Sequence, residues 1–301
     1  MTTAVRYAVV RGVLFFVLLA FLGACGRSQA SGAPEAKPSD AGAMRIVSVG
    51  GAVTEVLFAL GAGSDVFGID TSSVYPEAAW KLPHVGYQRT LAAEGILSLR
   101  PTLVIATADA GPPAVIEQLR AANVRVEILP ADPTIEVARS RILSIAKLVG
   151  RDGTALVSEL DADLARAKSA ARAAKSKPKV LAVYARGANV LHVLGKGTPG
   201  EVMVELAGGD NAGNAFDGAK PMTAESLVSA APDVVLVPSR GLESLGGLEG
   251  LAKLPGMSDT PAGRASRFVA MDDLLLLGFG PRTGKALLEL TSKIHPELGN
   301  P

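Results

Sequence analysis

One rhythm constrains this chain more than any other feature. From Arg45 onward, short β-branched runs alternate with amphipathic ones. "RIVSVG" reads as a strand and "AVTEVLFALGAG" as a helix ended by glycine. "VFGID" is strand-like, "ILSLRP" a short helix stopped before proline, and "TLVIAT" a buried strand. "PPAVIEQLRAAN" is a helix opened by proline, and "VRVEILP" the next strand. Strands that alternate with helices predict a parallel sheet clothed by those helices. The rhythm stops at Thr134 and does not resume until Pro178, and the stretch between is rich in Ala, Leu, Arg, Lys and Glu. Only "GRDG" at 150–153 interrupts it, so it reads as helix rather than as a structureless linker. After Pro178 come "KVLAVYA", "EVMVELAGG", "AESLVSAAP", "DVVLVP" and "RFVAMD". The expected fold is α/β: two Rossmann-like lobes, an N-lobe at 45–133 and a C-lobe at 178–301, joined by a bridging helix region at 134–177. One long connecting helix predicts only a small closure on ligand binding.

The two halves echo each other. "AEGILSLRPTLVIA", starting at Ala93, aligns without a gap on "AESLVSAAPDVVLVP", starting at Ala224. Glu94 falls on Glu225, Ser98 on Ser229 and Pro101 on Pro232, which reads as a pseudo-repeat. A carboxylate near a helix start gains a few tenths to about 1 kcal/mol from the macrodipole, and that alone explains either glutamate. Two such carboxylates related by pseudo-symmetry also suit a two-fold symmetric partner that offers a basic residue from each subunit.

The N-terminus has its own signal. Arg6 and Arg11 precede "GVLFFVLLAFLGA", which ends at Cys25. The run is shorter than the roughly 20 residues a spanning helix needs, and fits the apolar region of a secretory signal. "LGAC" resembles a bacterial lipobox, whose cysteine is lipidated and becomes the new N-terminus. Residues 1–24 then read as a lipoprotein signal peptide and 25–44, small, polar and proline-containing, as a flexible tether. The expected protein is exported to the periplasm or cell envelope and held at the membrane by lipid on Cys25. Cys25 is the only cysteine, which excludes an intramolecular disulfide, a cysteine zinc site and an iron–sulfur cluster. A net charge of +1 gives no reason to expect nucleic acid as a partner.

Catalytic motifs are missing: there is no G-x-S-x-G elbow and no H-E-x-x-H, so the chain does not read as an enzyme. The three histidines, 84, 192 and 295, are widely spaced, and His295 beside Pro296 reads as solvated. "GKGTPG" at 195–200 matches G-x-G-x-x-G literally, but no second strand ending in Asp or Glu follows at the required distance. The turn can still offer backbone N–H groups to a carboxylate at the helix start.

"HVGYQRT", from His84, holds one of only four tyrosines, beside Gly86 and two residues before Arg89. It reads either as a surface loop aromatic or as a ligand held into a cleft. The surrounding segments resolve the choice by resemblance. "RIVSVGGAVTEVLFALGAGSDVFGIDTSSVYP", "LPHVGYQRTLAAEGILSLRPTLVIA", "GTPGEVMVELAGGDNA", "MTAESLVSAAPDVVLVPSRGLESLGGLEGLAKLPG" and "DDLLLLGFGPRTGKALLEL" resemble the haem-binding substrate-binding proteins of bacterial ABC importers. These lie within the wider iron-siderophore and cobalamin binding family, whose fold is the class III substrate-binding protein fold. The Val-Gly-Tyr-x-Arg segment and "LLLLGFGPR" resemble the haem branch in particular. The resemblance implies haem as the transported ligand, with Tyr87 as axial ligand to its iron. Ferric iron accepts a phenolate, and tyrosine is a known haem ligand. A free tyrosine titrates near 10, so the metal and a nearby cation, here Arg89, must favour phenolate. Haem also brings two propionates, for which Arg186, Arg240 and Arg282 are the candidate partners at strand-end loops. His192, in "VLHVLGKG", is a candidate for the far side of the iron or for a second stacked haem. Glu94 and Glu225 would dock on an ABC permease dimer, and the protein would act as a monomer. A ferric siderophore or cobalamin on the same scaffold, a haem store without a permease, and an exported enzyme are the rival readings.

Overall fold

The computed structural model describes residues Met44 to Gly299. The signal peptide, the lipidation site at Cys25 and residues 25–43 of the tether lie outside the described residues. Met44, counted with the tether, packs partly against the first core.

Strands β1 (Ile46–Val49), β2 (Val66–Ile69), β3 (Leu103–Thr107) and β4 (Arg125–Leu129) form the N-lobe sheet in the order β2-β1-β3-β4. All three pairings are parallel. The central strands read as unbroken apolar runs because both faces are covered. Ile46, Leu103 and Ile105 pack with Val53, Leu57 and Ile142 on one face. Val47, Val49, Val104 and Ala106 pack with Ile96, Val115 and Leu119 on the other.

The C-lobe holds β5 (Lys179–Ala185), β6 (Leu191–Leu194), β7 (Asp210–Asn211), β8 (Ala219–Pro221), β9 (Val234–Pro238) and β10 (Phe268–Met271). Its order is β10-β9-β5-β6-β8, with β7 beside β5. β5, β9 and β10 are parallel, as the alternation predicts. β6 departs from that expectation by folding back on β5 and pairing β8, both antiparallel. Gly187, at φ 71, opens the turn, and the Arg186 N–H donates to the Val190 carbonyl at 2.9 Å. The signal was present in the sequence as "RGAN" between two apolar runs.

The region expected to be one long helix is two. Ile135–Leu148 packs into the N-lobe core, and Thr154–Ala173 follows it. Gly150, at φ 65, ends the first, and the Arg151 N–H closes back on the Ala146 carbonyl at 2.8 Å. The Asp152 carboxylate then accepts from the Thr154 N–H at 2.9 Å and starts the second. The 20-residue helix bridges the lobes: Leu160 sits in the N-lobe core, Ala167 in the C-lobe core, and Leu164 touches both. It lies close against the helix Thr283–Ile294, where a Cβ on Gly284 would come within 2.4 Å of the Asp163 Cβ.

The pseudo-repeat is visible in the backbone. Helices Ala93–Ser98 and Ala224–Ala230 feed β3 and β9, and these strands pair parallel with β1 and β5, the first of each lobe. Both units reach their proline through a left-handed residue, Arg100 at φ 49 and Ala231 at φ 43. The next residue then donates its N–H to the start of the lobe's first strand, Thr102 to the Arg45 carbonyl (2.9 Å) and Asp233 to the Lys179 carbonyl (2.8 Å). Each returns the bond through its side chain, which accepts from the Arg45 or Lys179 N–H at 2.9 Å.

His295 is not solvated. It is fully buried at the end of the helix Thr283–Ile294, with Nε2 3.2 Å from the Ala207 carbonyl. Gly208 leaves room for the ring, since a Cβ there would meet Nε2 at 3.1 Å.

Candidate ligand-binding site

In open α/β sheets ligands gather at the carboxyl ends of strands. Tyr87 is brought there by a loop fastened along its length. Its start runs beside β2: the Ile69 N–H donates to the Pro83 carbonyl, the Val85 N–H to the Ile69 carbonyl and the Thr71 N–H to the Gly86 carbonyl, each at 2.9 Å. Its end is tied to the segment after β3, where Gly111 donates to Gln88 and Leu91 to Gly111, each at 2.8 Å. Val85 and Leu91 are buried in the core on either side. Gly86, at φ 97, turns the chain between these anchors as few other residues could. Tyr87 therefore stands on a rigid loop yet leaves 42% of its surface exposed.

Arg89 is held by the Asp109 carboxylate, to which it donates at 3.0 Å. Thr107 at the end of β3 donates to the other oxygen of Asp109 at 2.6 Å. Burial works to raise the Asp109 carboxyl, but the bonds from Thr107 and Arg89 outweigh it and hold the group below its ordinary value. Partial burial works against the Arg89 cation, and Asp109, with smaller contributions from Tyr87 and Tyr184, more than offsets it.

The C-lobe supplies a matching group. Arg186 follows β5, with its guanidinium 4.7 Å from the centroid of the Tyr184 ring. Asp273 holds Arg186 at 3.1 Å through one oxygen and the Arg240 N–H at 3.0 Å through the other. Each lobe therefore presents a tyrosine, an arginine two residues on, and an aspartate gripping that arginine. The arginine side chains of the two groups are exposed. Arg240 is also exposed, and among the described residues no carboxylate lies within ion-pair distance of its guanidinium. His192 sits opposite Tyr184 in the β5–β6 register, half-buried.

Two residues missed by sequence reasoning, Tyr184 and Asp273, thus belong beside the four that it placed. "YAR" at 184–186 repeats the Tyr-x-Arg spacing of "YQR" at 87–89, and that was the available signal. Arg282 is engaged elsewhere. Its guanidinium is paired with Glu55 of the N-lobe and stacked on Tyr75, so the geometry does not present it as a free cation for a ligand carboxylate. The turn at Gly197 is likewise engaged from within, its N–H donating to the side chain of Glu201 at the start of the helix Pro199–Leu206.

Glu94 and Glu225 each occupy the second position of their helices and are exposed. Among the described residues neither has an ion-pair partner. Thr223 and Ser226 form a capping box that fixes the start of the C-lobe helix, whereas Ala92 caps its N-lobe counterpart without a side-chain bond.

A family model described as "Periplasmic binding protein" matches residues 46–275. The chain is similar to the apo form of the periplasmic heme-binding protein RhuT from Roseiflexus sp. RS-1, at 46% identity and a TM-score of 0.83, covering 85% of this chain and all of that one. It is also similar to the periplasmic heme-binding protein BhuT in complex with two hemes, at 42% identity and a TM-score of 0.80, covering 85% of this chain and 99% of that one. An uncharacterized ABC transporter substrate-binding lipoprotein of Bacillus subtilis, YvrC, is 29% identical over 264 residues, covering 84% of this chain and 80% of its own.

Proposed function

The chain belongs to the periplasmic binding protein family, and from that premise we propose that it captures haem in the cleft between its lobes and delivers it to an ABC permease. The observation that carries this reading is the loop at Tyr87, fastened on both sides while the tyrosine itself stays exposed. Tyr87 is the axial ligand to the ferric iron, with Arg89 favouring the phenolate form. Arg186 and Arg240 receive the propionates, Arg186 oriented by Asp273 and Arg240 bringing a charge with no acidic partner. The likeness to two heme-binding proteins over nearly their full lengths supports the cargo. Glu94 and Glu225 form the docking pair for the permease dimer. Cys25 carries the lipid that keeps the protein at the membrane of the cell envelope, where it works as a monomer.

Hemin added to the purified protein should give a ferric Soret band with tyrosinate character. Tyr87→Ala should change that band and weaken affinity by about 100-fold, or about 2.7 kcal/mol. An unchanged band in the variant would remove Tyr87 from the iron.

A further inference from the structure

Arg282 and Glu55 lie on different lobes. Glu55 belongs to the helix Gly51–Ala59 of the N-lobe, and Arg282 caps the helix Thr283–Ile294 of the C-lobe. Arg282 donates through Nε to Glu55, whose side chain is 4% exposed against 23% for the Arg282 side chain. The guanidinium carbon also sits 3.6 Å from the ring centroid of Tyr75, a second N-lobe residue. Burial pushes the Glu55 carboxyl above its ordinary value, although Arg282 pulls it down.

The surroundings are built for close approach of the lobes. A Cβ on Gly280 would come within 2.9 Å of Glu55 Oε2, and one on Gly51 within 2.6 Å of the Leu274 side chain. Arg141, buried on the helix Ile135–Leu148, ties the same junction from behind. It donates to the Pro130 carbonyl at 2.8 Å and to the Phe279 carbonyl at 3.0 Å.

A buried ion pair adds little net stability over an apolar contact of the same volume. Its distinguishing property is direction, because a guanidinium and a carboxylate meet in few geometries. We propose that Glu55, Arg282 and Tyr75 are positioning residues that set the width of the interlobe cleft. The cargo then enters a slot of fixed opening, and a partner that empties the slot must pull this pair apart. The inference deepens the haem-capture reading and rests on it only for the identity of the cargo.

Spin labels on Ser98→Cys and Ser229→Cys, in the full chain carrying Cys25→Ser, report the distance between lobes. Without hemin the parent should show one narrow distance distribution. Glu55→Gln and Arg282→Met should broaden it and speed hemin dissociation by about 10-fold, while the tyrosinate band is retained. Arg282→Met strands a buried carboxylate and threatens the fold, so the double variant Glu55→Met/Arg282→Met is the second arm. It should keep the thermal midpoint of the parent and still lose the narrow distribution. A narrow, unshifted distribution in the folded double variant would overturn the proposal. So would loss of the hemin band at an unchanged distance, which would make Arg282 a ligand contact. If the parent takes up no hemin, the cargo reading falls, and the distance measurement alone decides the positioning role.

Discussion

The N-lobe and the C-lobe share one unit and differ in almost everything around it. In both, a short helix with glutamate at its second position ends in a left-handed residue, crosses a proline and enters the strand beside the lobe's first strand. In the N-lobe a long loop along β2 leads to that unit and carries Tyr87 at its tip. In the C-lobe the antiparallel strands β6 and β8, with the helix Pro199–Leu206 between them in the chain, intervene, and the tyrosine comes from β5 itself. The repeated unit holds the candidate docking carboxylates, whereas the matching Tyr-Arg-Asp groups of the candidate cargo contacts hang on different elements in each lobe. A two-fold symmetric partner demands equivalence between lobes, whereas a cargo bound through one iron ligand demands a difference.

The largest effect should come from breaking the shared unit. Glu94→Lys with Glu225→Lys should lower stimulation of the permease ATPase by more than about 10-fold and leave hemin affinity unchanged. If the lobes are equivalent, the two single reversals should cause equal losses, each like-charge contact costing a few kcal/mol. A transport assay in which the double reversal works normally would end the docking argument.

The next test concerns how each lobe treats its positive charges. Arg240 has no acidic partner for its guanidinium, so Arg240→Ala should weaken hemin by about 10-fold, with the loss shrinking as salt rises. Arg89→Ala removes a charge and also leaves Asp109 unpaired beside the cleft. Its loss should exceed that of Arg240→Ala, and adding Asp109→Ala should recover part of it. Titrations at two ionic strengths distinguish these outcomes, and equal losses with no recovery would show that Asp109 does not govern the charge of Arg89.

How far these lobes can be read from sequence depends on how local each determinant is. Strand and helix order is written in short local runs, so "RIVSVG" and "TLVIAT" announce β1 and β3 directly. Tyr87 is legible because glycine, tyrosine and arginine stand within one turn. Arg282 is not, because its partner Glu55 lies 227 positions away and only the packed junction brings them together. Arg141 is hidden for the same reason: a charged residue inside a helical pattern reads as solvent-facing until the carbonyls of Pro130 and Phe279 arrive. His295 stands directly before Pro296 and the polar run after it, which looks exposed, and only the C-lobe core covers it. The split at 149–153 was signalled by "GRDG", which is a helix stop followed by a cap and is more than an interruption.

The smallest effect tests whether the repeat reaches the backbone. Arg100 and Ala231 hold φ of 49 and 43, a region that costs a residue with a side chain about 1 kcal/mol or slightly more. Glycine adopts it freely but gives up roughly 0.5–1 kcal/mol of chain entropy on folding. Arg100→Gly and Ala231→Gly should therefore each be neutral or stabilising, by no more than about 1 kcal/mol. A residue that did not need the left-handed turn would instead lose stability on becoming glycine. Urea midpoints that move the same way for both variants would show that the two prolines are entered through equivalent turns. Opposite signs would reduce the repeat to a resemblance of side chains and leave Glu94 and Glu225 without a common frame.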